Sequence, residues 1–392
     1  MSKRRPKHTQ PVLSEQVRNA LFTTLEKHLP LGIQGRALDD KKVWDILTYA
    51  SVNSTTIETA CNELADVPSG NTVREHLGAV LDTSRKGVTA LENDLNEALK
   101  SQLSAGMTKR LGRKSYEVGI DLTENPYHGQ SANDDNEIRR GKAKSGTTHF
   151  HAYATLSIVH HQRRYELALT FVWADESMEK VVQRLILQAK TLGLRIRRAY
   201  LDKGFCSKEV FHLLRGQRIA YLIPIPKRGK SGGIRALFVG RCSYHTHYTF
   251  NVNTERAYTT DVILICRYTK GRYGRHQVEW FTYAAWGMDK VGLHQVFDLY
   301  RRRFGMESGY RQMHQVRART TSRNPALRLL LVGLALIIYN VYITLRRIYR
   351  TPRFYGGRVR RIWLTLKRMA LLLLRIIERL LGVAPIEQII AV

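Results

Sequence analysis

Three acidic residues lie where a chain can bring carboxylates toward one point. Asp121 closes the apolar run YEVGID before the polar TENPYHG, and Asp202 closes the strand-like LRIRRAYLD before KGF and an amphipathic helix that starts near Ser207. Glu307 belongs to YRRRFGMESGYRQMH, residues 300–314. At about 100° per residue, Tyr300, Arg303, Glu307, Tyr310 and His314 share one quadrant of a helix there, because their spacing tracks the turn. Each feature has a plainer reading when taken singly. A strand-end Asp is commonly a cap or turn residue, and a helical Glu among arginines is commonly a solvated ion-pair partner. Taken together, acids from separate elements suit hard divalent ions such as Mg²⁺ or Mn²⁺, which histidine or cysteine would not. Two such ions about 4 Å apart stabilise the attacking and leaving oxygens of a phosphodiester. Asp121 bridging both ions, with Asp202 on one and Glu307 on the other, is the arrangement these residues predict.

Asp121, Asp202 with Gly204 and Phe205, and Tyr300-x2-Arg303-x3-Glu307 together resemble the insertion-sequence transposases of the DDE type. The resemblance spans roughly residues 50–345 and is nearest the subgroup with a Tyr-Arg-Glu-Lys signature and a β-rich insertion before the glutamate. One position departs from it: His314 stands where the signature has lysine. The resemblance implies an α/β fold with a ribonuclease-H-like catalytic core. It also implies catalytic, metal-binding roles for Asp121, Asp202 and Glu307, and strand cleavage followed by strand transfer. The expected partners are double-stranded DNA, both transposon terminal inverted repeats and target, and a second copy of the chain in a homodimeric synaptic complex. Tyr300 and Arg303 would hold the transposon terminus, the tyrosine by stacking or hydrogen bonding and the arginine by a bidentate phosphate grip. Tyr310, Arg311, His314, Arg317 and Arg319 would extend that DNA-facing side. A related metal-dependent nuclease that cuts without joining, and a domesticated DNA-binding protein, are the alternatives.

Composition agrees with a polyanionic partner. Lys and Arg number 63 against 33 acids in 392 residues, a formal charge of +30, while 43% of residues are hydrophobic. The arginines recur in every segment and not only beside apolar runs, which favours nucleic acid over an anionic membrane. Cys61, Cys206, Cys242 and Cys266 lack any CxxC spacing, so no zinc site or disulfide framework is encoded, and a reducing, cytoplasmic setting is expected. The start, MSKRRPKHTQPV, has no apolar stretch after its basic residues and reads as a flexible arm over 1–13.

Helical periodicity runs from Ser14 to about Leu111 and predicts a helical DNA-binding domain over 14–111. Within it, Ser54 to Leu81 reads as two short helices around Pro68, Ser69 and Gly70, with Asn71 as the second cap and Thr72, Arg74 and Glu75 on the first turn. That pair is either a DNA-reading element, with Thr72 and Arg74 on bases or phosphates, or an ordinary helical hairpin.

The first part of the core is expected over 112–224. Its hydrophilic segment 123–147 is too polar to pack and therefore mobile or substrate-ordered, with Glu124, Asp134 and Asp135 as solvated acids. Strands follow over 149–158 and 164–173, then a helix from Ser177, the strand ending at Asp202, and a strand over 218–224. His149 and His151 share a strand face, but no third metal ligand is evident. Residues 225–290 form the β-rich insertion, with turns at Gly271 and Gly274. Its PKRGKSGGIR loop is suited to phosphates, and Trp280 and Trp286 are stacking candidates or core aromatics. The rest of the core, over 291–350, carries the glutamate helix and the apolar Leu329 to Leu345, expected to be buried against the sheet and not to span a membrane. Residues 351–392 are expected as an amphipathic helical region that packs on the core or on a second protomer.

Overall fold

The computed structural model describes the backbone of residues 13–385 apart from 161–162, 253, 256, 271–275 and 356–357, and the side chains apart also from 159–160, 163, 269–270, 276–277, 302–311, 347 and 350–363. The turns at Gly271 and Gly274, and the arm up to residue 12, lie outside the described residues.

Helix starts follow the chemistry of the residues just before them. The first helices are α1 (Ser14–His28), α2 (Asp40–Val52), α3 (Ile57–Glu63), α4 (Gly70–Val80) and α5 (Arg85–Ser101). The side chains of Asp39, Thr56, Ser69 and Ser84 accept from the backbone N–H groups of Lys42, Thr59, Thr72 and Gly87, each satisfying a donor that the first helical turn leaves open. Ser69 therefore takes the cap expected of Asn71. Asn71 lies inside α4, where it donates to Glu75 and accepts from Arg74. Gly70 permits the earlier start, since a Cβ there would lie 2.5 Å from Glu58 Oε2 and 2.6 Å from Glu58 Cα.

Along the rest of the chain come α6 (Ala105–Leu111), β1 (Ser115–Pro126), β2 (Arg139–Lys144), β3 (Thr147–His160), β4 (Arg163–Val172), α7 (Met178–Thr191), β5 (Arg195–Leu201), α8 (Lys208–Gly216), β6 (Ala220–Pro224), β7 (Tyr244–Phe250), β8 (Tyr258–Lys270), β9 (His276–Trp286) and α9 (Leu293–His314). The chain closes with α10 (Pro325–Ile348), β10 (Arg350–Tyr355), β11 (Arg358–Trp363) and α11 (Leu366–Leu381). Residues 105–125 and 152–308 form one compact unit; residues 1–104, 126–151 and 309–392 form the other.

The first of these units is a sheet with strand order β4-β3-β1-β5-β6-β9-β8-β7. β1, β5 and β6 are parallel neighbours, joined through α7 and α8, and β3 pairs antiparallel with β4. This is the ribonuclease-H-like order, and it buries the apolar faces of β1 and β5 completely, with Val118, Ile120, Ala199, Tyr200 and Leu201 all inaccessible. The β-rich residues expected to interrupt the core instead lengthen its sheet. β9 pairs antiparallel with β6 from Tyr221↔Trp286 to Pro224↔Tyr283, and β8 and β7 follow in a meander. The physical reason is that an unpaired β6 edge would leave a row of backbone donors and acceptors without partners.

In the other unit α10 is the centre. It packs against α5, α1 and α2, and α11 packs against α1 and α2. The apolar helix is thus buried as expected, but by helices and not by the sheet. The N-terminal helices correspondingly do not close a core by themselves over 14–111. Gly333 shows how tight the fit is, because a Cβ there would lie 2.3 Å from Leu95 Cδ2. Arg18 and Asp45, both buried, lock α1 to α2 through two hydrogen bonds of 2.8 and 2.6 Å.

Two further expectations are corrected here. The hydrophilic segment 123–147 is ordered, with β1 running on to Pro126 and β2 pairing with the start of β3. Its organiser is the fully buried Glu137, whose carboxylate accepts from the N–H groups of Ala132, Asn133 and Asp134 at 2.9, 3.2 and 3.1 Å. Order here comes from a carboxylate satisfying backbone donors, which polar composition does not reveal. Residues 351–392, expected to be helical, open with the antiparallel hairpin β10–β11 before α11. RFYGGRVRRIW, two short β-prone runs around Gly-Gly, carried that signal.

Candidate active site and nucleic-acid-facing residues

The parallel pairing of β1 with β5 ends at Ile120↔Leu201, so Asp121 and Asp202 are equivalent residues, each one position past the last pair on adjacent strands. The Asp202 N–H donates to Ile120 O at 3.2 Å, which pins the end of β5 to β1. Asp121 is 8% exposed and accepts from the Leu122 N–H at 3.0 Å. Asp202 opens a single 3₁₀ turn over Lys203–Phe205, held by Phe205 N–H to Asp202 O, and the buried Phe205 ring anchors that turn below the strand end. Ser207 then caps α8. β5 ends at Leu201 and turns at Asp202, while β1 runs on past Asp121 to Pro126, so the shared register of the two strands, and not two strand ends, sets the two acids at matching positions.

α9 crosses the same unit. Val296, Leu299 and Tyr300 pack into a cluster with Tyr200, Leu222, Ile263 and Tyr283. Tyr300 is 3% exposed, its ring lies 4.9 Å from that of Tyr283, and its hydroxyl donates to Leu201 O at 3.2 Å. With the ring buried here, the expected contact of Tyr300 with a DNA end would require it to leave this cluster. The apolar body of a tyrosine favours the core when its hydroxyl has a carbonyl to meet, and here that carbonyl belongs to the residue before Asp202. Tyr300→Phe should lower stability by about 1 kcal/mol, the net worth of one such bond, with terminal-DNA affinity changing by less than about twofold. Thermal melting and a binding titration check this; a loss of affinity without loss of stability would return Tyr300 to a DNA contact. α9 continues through Arg303, Glu307, Tyr310 and Arg311, whose side chains lie outside the described residues. Among the described residues no group of three His, Cys, Asp or Glu side chains is placed to hold a metal ion. Asp121 and Asp202 by themselves present hard oxygen donors side by side, which fits a divalent cation.

In the helical unit the remaining expected residues divide by accessibility. His314, Arg319 and Arg323 are exposed, and Arg317 is half-buried. The Ser54 hydroxyl donates to Gln315 O at 2.8 Å and Arg319 N–H donates to Thr55 O at 2.8 Å, so the basic tract docks at the start of the α3–α4 hairpin. On α4, Arg74 bonds Glu58 at 3.1 Å and Asn71 at 3.2 Å, and Thr72 meets Ser69; both are thus partly committed within the hairpin. A phosphate would have to compete with Glu58 for Arg74.

His314, where the signature has lysine, does not carry lysine's standing charge in the free protein. His314 keeps an accessible face, but the chain packed around the rest of the ring, and then the positive charges of Arg317 and Lys144, push its pKa down to about 4 in the protein. The neutral form is therefore the native one. The ordinary value is 6.5, so the stability this contributes is full above that pH and is lost as pH falls from about 6.5 toward about 4. His314→Gln should flatten the acid side of the thermal stability profile in that window relative to the wild type. Between pH 6 and 8 the two proteins should melt alike.

His151 is not a metal ligand candidate in this structure. It is fully buried at 0% exposure, edge-on to Tyr127 at 4.7 Å, and its pKa is lowered to about 3 by burial and then by Arg328. His149 is half-buried. Trp280 is a core aromatic, stacked on Phe238 at 5.6 Å, while Trp286 is half-buried. Lys227, in the loop suited to phosphates, has its ammonium tied to Trp280 O over the Phe238 and Phe281 rings. Arg228 and Lys230 of that loop, which follows the C-terminal end of β6, remain exposed together with Lys203. Sequence reasoning missed the Tyr300–Leu201 link and the Lys227 tether, because both join residues more than 50 positions apart.

Residues 118–341 match the family model described as the transposase DDE domain. No curated protein sequence matches the chain. Among solved structures the fold resembles a chain in the cryo-EM structure of the piggyBac transposase synaptic complex with hairpin DNA, with a TM-score of 0.51 and 10% identity over 94% of this chain and 80% of the other. At that identity the likeness is one of fold.

Proposed function

The chain belongs to the transposase DDE domain family, and from that premise we propose that it binds the ends of an insertion sequence as double-stranded DNA, cuts at those ends and joins the freed strand to target DNA. The observation that carries the proposal is the pair of carboxylates at equivalent positions on β1 and β5. Asp121, Asp202 and Glu307 would hold the divalent ions that this family uses, Mg²⁺ or Mn²⁺, with the two aspartates preset by strand pairing. Bound there, two ions would supply charge stabilisation to the attacking and leaving oxygens.

The chain's own side chains would orient the DNA. Arg303, Tyr310, Arg311, Arg317 and Arg319 would grip phosphates near the glutamate helix, and neutral His314 would donate or accept a hydrogen bond without adding charge. Thr72 and Arg74 on α4 would read the terminal repeat once Arg74 exchanges Glu58 for DNA. Tyr300 would act from the core, steadying the Asp202 strand end. Two copies in a synaptic complex, acting in the cytoplasm on nucleoid DNA, complete the proposal.

The test is a strand-transfer assay with pre-cut terminal DNA, a supercoiled target and Mg²⁺. Covalent joining of terminal to target DNA is expected. Cleavage of uncut ends without any joining of pre-cut ones would make the protein a nuclease, the alternative reading.

A further inference from the structure

A second feature of the sheet unit lies at the edge opposite the carboxylates. Three segments meet there: residues 105–116 entering β1, residues 188–198 entering β5, and residues 215–220 entering β6. Their strands are in register at that end, with Ser115 beside Arg195 and Arg198 beside Ala220. The loops also touch, as a Cβ on Gly193 would lie 3.9 Å from Gly112 Cα. None of the three segments contains an Asp or Glu. Lys109, Arg110, Arg113, Lys114, Lys190, Arg195 and Arg218 are all exposed there, and among the described residues none of them is in an ion pair.

Other cations at this edge are used internally, which separates a structural set from an unused one. Arg197 and Arg198 bond the buried Glu117 at 2.8 and 2.9 Å, and Arg215 reaches Thr260 and Asp261. The unused set repels itself in the free protein. Arg218 additionally sits at a φ of 56°, a left-handed position that favours glycine. Past β9 the cationic run ends, because Asp289 and Lys290 follow that strand.

We infer that this edge is a second DNA-binding surface, which takes the phosphodiester backbone of a duplex stretch away from the cleavage point. The inference rests on the transposase reading for the identity of the polyanion. Exposed arginine and lysine side chains at two helix ends, a strand start and the connecting loops suit phosphates irrespective of sequence. From Ser115 to Asp121 the strand rises about 20 Å, at about 3.3 Å per residue. That far exceeds the screening length of about 8 Å at physiological salt, so the cations do not act electrostatically on the carboxylates. They hold another part of the DNA path.

The experiment uses full-length protein and two independent variants, Lys109→Gln/Arg110→Gln/Arg113→Gln/Lys114→Gln and Lys190→Gln/Arg195→Gln/Arg218→Gln, each checked by thermal melting. Affinity is measured against salt for a short duplex covering only the terminal repeat and for a long duplex carrying flanking DNA. Each variant should bind the long duplex on the order of 10-fold or more weakly, with a salt slope shallower by about 0.9 for each phosphate that is no longer neutralised. Cleavage of the short duplex should match the wild type. Wild-type affinity and slope on the long duplex in both variants would overturn the second surface while leaving the transposase reading intact. Absence of salt-dependent duplex binding by the wild type would instead overturn that reading. Loss of binding to phosphatidylserine vesicles with duplex binding intact would assign the edge to a membrane and overturn the inference.

Discussion

Asp121→Asn, Asp202→Asn and Glu307→Gln are each expected to abolish Mg²⁺-dependent cleavage of terminal DNA while leaving DNA binding within severalfold. Each substitution keeps the shape of the side chain and removes one negative charge. If the forfeited charge stabilisation is about 4 kcal/mol, the rate falls on the order of 10³-fold. The two aspartates should also differ from a structural residue in what they leave intact. Asp202 makes its cross-strand bond through its backbone N–H, which asparagine keeps, so the melting temperature of Asp202→Asn should stay close to that of the wild type. Gel assays of cleavage and binding, with Ca²⁺ supporting complex formation without turnover, check the prediction. Substantial cleavage by any one variant would remove that residue from the site.

Removal of residues 1–110 is expected to abolish folding of the helical unit, so that no separable catalytic fragment results. α10 is long and apolar enough by composition to cross a membrane, yet its apolar stretch is buried, and α5, α1 and α2 are among the helices that cover it. Without them a helix that is apolar on all sides faces water or self-associates. Leu95→Ala should show the same dependence in miniature, because Leu95 packs at Gly333 and a cavity there costs about 2–5 kcal/mol. Soluble yield and cooperative melting measure both. A soluble, cooperatively melting fragment starting at residue 111 would show that the N-terminal helices are a module in their own right.

The consequence for DNA recognition is practical. Because α3 and α4 belong to the unit built on α10, the contribution of Thr72 and Arg74 is to be read from substitutions in the whole chain. Arg74→Ala is the informative one: the free protein loses an exposed pair with Glu58, which is worth little, whereas a base or phosphate contact would cost sequence preference.

Local chemistry in the sequence determined much of the site. The apolar run that ends in Asp202 marks a strand that stops there, whereas the run that ends in Asp121 marks only where β1 turns polar on its way to Pro126, and Ser177 and Ser207 mark helix starts, because burial and capping are decided within a few residues. The order of elements along the core was readable from periodicity, and the name of the fold came from the resemblance of the acidic motif. Periodicity also placed Tyr300 on the face of Glu307, but it could not say what that face meets. Only the tertiary structure decided that Tyr300 turns into the core and bonds the Leu201 carbonyl. The same holds for Ser69 displacing Asn71 as a cap, which depends on how closely Gly70 lies to Glu58, and for the cationic edge, whose seven residues come from three segments aligned by parallel pairing. An apolar helix announces that it will be buried. What buries it, and which charges are left facing water, depends on contacts between residues far apart in the chain, and α10 and the β1–β5–β6 edge were legible only once those contacts were formed.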